Sequence, residues 1–156
     1  MKLSHIAAAS ALGLMMMSSA QAKVVWQDFS LSALHGTNYE LVADPAGKQT
    51  TITAEYAAKI PYADLFAFVD RSESNDVKST YFEVSPRLSL SETLGTKLQA
   101  GIIKDVLIST TWEGGENFNN YLYGVGVDLN LPKFQYASLN VYRVNNELSK
   151  DDWQLT

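Results

Sequence analysis

The sequence predicts an all-β protein, an antiparallel transmembrane β-barrel of the outer-membrane type. Three observations predict it. Apolar residues recur at a period of two in segments of about ten residues, the rhythm of lipid-facing and lumen-facing positions along a barrel strand. The polar phase of those segments carries charges in mid-strand, at Glu55, Glu83, Arg87 and Asp128. The chain also opens with an export signal. A soluble antiparallel sandwich would alternate in the same way. Mid-strand charges, and aromatics near strand ends at Trp26, Trp112 and Tyr121, favour the barrel.

The export signal is read from residues 1–22. Lys2 gives a basic start, Ile6 to Met17 an apolar run, and Ala20-Gln21-Ala22 a small-residue site, so cleavage is expected after Ala22. The apolar run is too short for an anchor, since a spanning helix needs about 20 apolar residues. Residues 23–156 are then one domain. With 12 basic and 17 acidic residues the chain has a net charge of −5 and no basic stripe, which excludes nucleic acid as a partner. It has no cysteine, hence no disulfide framework and no thiolate metal site. No metal or cofactor is expected. His35 is the one histidine after residue 22, with Ser30 and Ser32 nearby. A serine-histidine-acid arrangement would need more than that spacing offers, so no enzyme is expected.

The elements follow in order along the chain. "WQDFSLSALHG" puts Phe29, Leu31 and Ala33 in phase, and "NYELVADPAGKQ" carries an Asp-Pro-Ala-Gly turn signal. "TTITAEYAAKI" sets Ile52, Ala54, Tyr56, Ala58 and Ile60 against Thr51, Thr53, Glu55 and Lys59. A short "PYAD" turn leads into "DLFAFVD", and "RSESNDVKS" reads as a longer loop. "TYFEVSPRLSLS" is the cleanest strand, with Phe82, Val84, Pro86, Leu88 and Leu90 on one face. After "ETLGT", Gln99 to Trp112 reads as a less regular strand, and "EGGENFNN" as a loop. "YLYGVGVDLN" and "YASLNVYRV" alternate again around "LPKFQ". A loop "NNELSKDD" leads into "WQLT", where the sequence stops. The connections read as alternately short and long, as periplasmic turns and external loops would.

"DLFAFVD" is the segment where the two faces need most care. Leu65, Ala67 and Val69 fall on one side, while Phe66 and Phe68 share the other with Asp64 and Asp70. In a barrel the aliphatic side meets lipid, and rings beside carboxylates line a water-filled wall. Such a wall suits a solute with a flat apolar face and hydroxyls, as nucleosides have. The alternative is that Phe66 and Phe68 pack the interior of a small barrel.

The stretches "WQDFSLSALHGTNYE", "EYAAKIPYADLFAFVD", "YFEVSPRLSL", "GIIKDVLISTTWE" and "LNVYRVNN" together resemble the Tsx-like nucleoside-channel family, which includes OmpK. The resemblance runs from about Trp26 to the end of the chain. It implies a twelve-stranded outer-membrane barrel with a narrow lumen that takes up nucleosides, and in some members a phage receptor. Lumen aromatics would stack on the base, and polar side chains would bond the ribose. Tyr39, Phe66, Phe68, Glu83, Arg87 and Asp128 match such a lining, and Asp64 and Asp70 flank it. A surface receptor or structural barrel without nucleoside selectivity is the alternative. Seven strand candidates and the start of an eighth precede Thr156. Because a barrel must close, residues 23–156 are expected to be the N-terminal part of a longer one.

Overall fold

In the computed structural model of the chain, residues 23–37, 47–74 and 77–156 are described. They form one eight-stranded antiparallel sheet in which each strand pairs with its neighbours in sequence. The strands are β1 (Trp26–Gly36), β2 (Gln49–Ile60), β3 (Ala63–Ser74), β4 (Val77–Ser89), β5 (Ile103–Gly115), β6 (Asn119–Leu129), β7 (Ser138–Asn145) and β8 (Asp152–Leu155). One short helix, α1 (Leu90–Leu94), lies between β4 and β5. Among the described residues, β1 pairs with β2 alone and β8 with β7 alone. The expected signal peptide, residues 1–22, lies outside the described residues, and so does Tyr39.

Register sorts the alternating pattern into two faces. Leu65, Ala67 and Val69 lie opposite Pro86, Val84 and Phe82. Ile108 lies opposite Val125, which lies opposite Val141. On the other face Asp64 meets Arg87, Phe66 meets Ser85, and Phe68 meets Glu83. The apolar face leaves Phe29, Leu31, Tyr123, Val125, Trp153 and Leu155 more than half exposed. A continuous apolar surface of this kind is costly in water, at about 25 cal/mol per Å². It is the surface that lipid would cover. Trp112 and Tyr121 sit directly opposite one another on this face. Trp26 does not join them: it falls in the phase of Asp28 and Ser30, opposite Lys59.

The connections depart from the alternating short and long rhythm. "RSESNDVKS" is mostly strand, because β3 and β4 pair as far as Ser74 and Val77. Its polar side chains satisfy each other across the ladder. Lys78 donates to Glu73 at 2.9 Å, and Arg71 donates to the Thr80 hydroxyl at 2.8 Å. "EGGENFNN" likewise shrinks to residues 116–118. The end that carries the tight 61–62 turn also carries the long 90–102 and 130–137 connections. In the first of these, Ser89 caps α1 by accepting from the Glu92 N–H at 3.1 Å. The strand expected from Gln99 begins only at Ile103, because Ala100 and Ile103 close a tight turn on each other.

The sheet curls toward its polar face. Strands two apart in a sheet lie roughly 9.5 Å from each other. Yet Arg87 on β4 reaches Asp128 on β6 at 3.0 Å, and Ser109 on β5 donates to Asn140 on β7 at 3.0 Å. Both contacts pass over an intervening strand, so the polar face is concave. Glycine makes this possible on β6. A Cβ at Gly126 would strike the Asn140 amide oxygen and the Ser109 hydroxyl, and one at Gly124 the carbonyl oxygen of Val141. Gly-Val-Gly thus lets β7 and the β5 side chains come close to β6.

Candidate solute-lining face

The concave face carries two constellations. The first is an aromatic row. Phe66 and Phe68 alternate with Ala67 on β3, so both rings project to the same side, with centroids 5.9 Å apart. Tyr81, opposite Asp70 on β4, continues the row 5.7 Å from Phe68. Phe118, from the 116–118 connection, stacks on Tyr81 at 6.2 Å. Tilted rings at these separations fall within the favourable range for aromatic pairs. The row is not sealed into a core, since Phe66 remains 42% exposed.

Acceptors flank the row. The Tyr81 hydroxyl donates to Glu83 at 2.6 Å and contacts Glu113 at 3.2 Å. Glu83 and Glu113 lie directly opposite each other in the ladder, and the Asn120 amide donates to Glu113 at 2.9 Å. On the β2 side, Thr53 donates to Asp70 at 2.6 Å and Ser30 donates to Glu55 at 2.7 Å. Each carboxylate keeps lone pairs that these partners do not fill.

The second constellation is an ion triad nearer the 61–62 turn. Arg87 is buried and donates from Nε and Nη2 to the two oxygens of Asp64, at 2.8 and 2.7 Å. Its Nη1 donates to Asp128 at 3.0 Å. The fork on Asp64 is the bidentate geometry that a lysine cannot reproduce. The Tyr136 ring, from the 130–137 connection, lies over the guanidinium with its centroid 5.8 Å from Cζ. Among the described residues no buried side-chain polar atom lacks a hydrogen-bond partner.

The residues singled out in the sequence divide between these groups. Asp64, Arg87 and Asp128 form the triad, Phe66 and Phe68 belong to the row, and Asp70 and Glu83 flank it. Tyr39 is outside the described residues. Tyr81, Glu113, Phe118 and Tyr136 were not singled out. Tyr81 stands two residues before Glu83 in the polar phase, a signal that was available. Phe118 and Tyr136 lie in connections, where no periodicity points anywhere.

An antiparallel meander with an exposed apolar outside and a concave wall of charges, hydroxyls and rings defines a membrane β-barrel wall built around an aqueous path. Residues 47–154 match the family described as nucleoside-specific channel-forming protein, Tsx. The chain belongs to that family. It is also similar to outer membrane protein OmpK of Vibrio parahaemolyticus, with 25% identity over 167 aligned positions. That alignment covers 92% of this chain and 63% of the relative, so the chain spans less than two thirds of the relative's length.

Proposed function

We propose that this chain supplies wall to an outer-membrane channel for passive diffusion of nucleosides, exported behind residues 1–22 as a cleaved signal. The observation that carries the reading is the row Phe66, Phe68, Tyr81 and Phe118, with carboxylates and hydroxyls along its flanks. A nucleoside has a π-face that stacks on any of these rings and hydroxyls that donate to Glu83, Glu113 or Asp70. The role suits acceptors, because ionised carboxylates take hydrogen bonds from neutral solutes. Rings about 6 Å apart give a base its next contact before it has left the last, so no single site holds it strongly. Passive conduction needs that combination of entry and release. The family description supports the nucleoside channel, and the relative's name supports the outer membrane.

Liposome swelling tests it. Proteoliposomes holding a complete barrel that carries this segment should swell faster in nucleosides than in sugars of similar mass, and Phe68→Ala should reduce the difference while sugar flux persists. Equal rates for both solute classes in the unaltered protein would leave a general barrel without nucleoside selectivity.

A further inference from the structure

We propose that Arg87 is a positioning residue whose partner, Tyr136, folds the 130–137 connection into the opening, where it forms the size-selecting constriction at the end bearing the 61–62 turn. The inference rests on the channel reading above, but it concerns a segment and a residue that the aromatic row does not include.

Three observations converge on it. The first is that Arg87 is immobilised. Its two bonds to Asp64 on β3 and one to Asp128 on β6 fix the guanidinium plane from both sides. A cation held this way presents a flat, rigid face to the lumen. The second is that Tyr136 takes that face, although its own element is a connection with no strand to hold it. The Tyr136 hydroxyl donates to Ser138 at 3.2 Å, and Ser138 stands opposite Asp128, so the ring is referred to the triad a second time. The third is that the connection is stapled at its base. The Leu129 N–H donates to the Ala137 carbonyl, and the Asn130 N–H to the Ile102 carbonyl, both at 2.8 Å.

A connection free to follow the wall would leave along the barrel axis. This one turns back at Leu131–Phe134, with Lys133 in the left-handed region at φ 71°, and returns its aromatic side chain to the concave face. Tyr136 stays 64% exposed while its ring lies over the guanidinium, which leaves ring surface for a solute to meet. A solute leaving Phe66 passes Asp64, two residues further along the same face, and therefore meets the Arg87–Tyr136 step next. An aromatic ring on a fixed cation narrows the path while offering the same kind of surface as the row before it.

Within a complete barrel that carries this segment, the test compares Tyr136→Ala, Tyr136→Phe and Arg87→Lys with the unaltered sequence in planar bilayers and in detergent. Tyr136→Ala should raise single-channel conductance in potassium chloride about twofold and admit larger sugars. Tyr136→Phe keeps the ring on the guanidinium and loses only the Ser138 bond, so its conductance should lie much nearer the unaltered sequence than that of Tyr136→Ala. Arg87→Lys keeps the charge but loses the fork, and should give noisy openings between the two levels. The detergent measurement needs no conduction. Trypsin should cleave after Lys133 several-fold faster in Tyr136→Ala and Arg87→Lys than in the unaltered protein or Tyr136→Phe. Unchanged conductance in Tyr136→Ala, or equal cleavage rates in all four proteins, would overturn the proposal. Conductance that responds as described, in a channel indifferent to nucleosides, would overturn the nucleoside reading and leave the constriction standing.

Discussion

The concave faces of β2–β4 and β5–β7 belong to one sheet, share one period and point the same way, yet they are built differently. On β3 the lumen positions are filled by Phe66 and Phe68, and Phe66 remains 42% exposed. On β5–β7 the same phase holds Leu107, Ser109, Leu122, Tyr142 and Val144, all buried. Leu122, Tyr142 and Val144 pack into a small apolar cluster. The difference lies in side-chain size at the pleat. Gly124 and Gly126 leave nothing between β5 and β7, so their side chains close over β6. Phe66 has no such neighbour and stands open, while Phe68 is half-buried between Phe66 and Tyr81. Alternation therefore decides which side of the wall a residue faces, and the volumes of its neighbours decide whether that side becomes core or path.

The largest effect should come from Gly124→Ala, which breaks the tight half. Its Cβ would meet the backbone of Val141, which cannot rotate away as a side chain can. Overpacking costs typically about 1–3 kcal/mol where side chains can adjust, and this site should exceed that range. The heat-modifiable, protease-resistant form on a gel should be lost. Arg87→Met comes next, because it leaves Asp64 and Asp128 facing each other without their cation. Removing one partner of a buried pair costs roughly 3–5 kcal/mol. Adding Asp64→Asn and Asp128→Asn should restore most of the lost resistance to urea.

Two paired substitutions sharpen the assignment of faces and halves. Val69→Arg places a charge on the apolar face at a cost of roughly 2–4 kcal/mol near the bilayer midplane, and membrane insertion should fall. Phe66→Arg, on the concave side, should insert normally, and the opposite result would exchange the two faces. Within the concave side, Leu122→Ala should lower stability by about 2–3 kcal/mol, read by urea unfolding, with solute flux unchanged. The smallest effect is that of Phe68→Ala. It should leave unfolding nearly unchanged and weaken nucleoside block of ion current by about 1 kcal/mol, the low end of base stacking.

Much of the fold is legible in the residues themselves. β1 runs over the residues that "WQDFSLSALHG" marks out, and the two faces of β3 and β4 separate as their period requires. The arms beyond the apolar band were not legible. Arg71–Ser74 and Lys78–Thr80 are polar in both phases, and their cross-strand partners hold them as strand. α1 was missed for a related reason: its cap at Ser89 depends on a side chain that also reads as the end of a strand.

The sequence by itself determined that this chain alternates, that the mid-strand charges Glu55, Glu83, Arg87 and Asp128 fall in the polar phase, and that rings sit among carboxylates in "DLFAFVD". Those are consequences of the two-residue period, which each strand carries locally. Only the tertiary structure decided that Asp64, Arg87 and Asp128 meet. Asp64 and Arg87 become neighbours through the register of β3 on β4. Asp128 is two strands from Arg87, and meets it because the long guanidinium arm passes over β5 on the concave face. Register and curvature are sums over many residues, as glycines and side-chain volumes on adjacent strands settle against one another, and no single segment carries them.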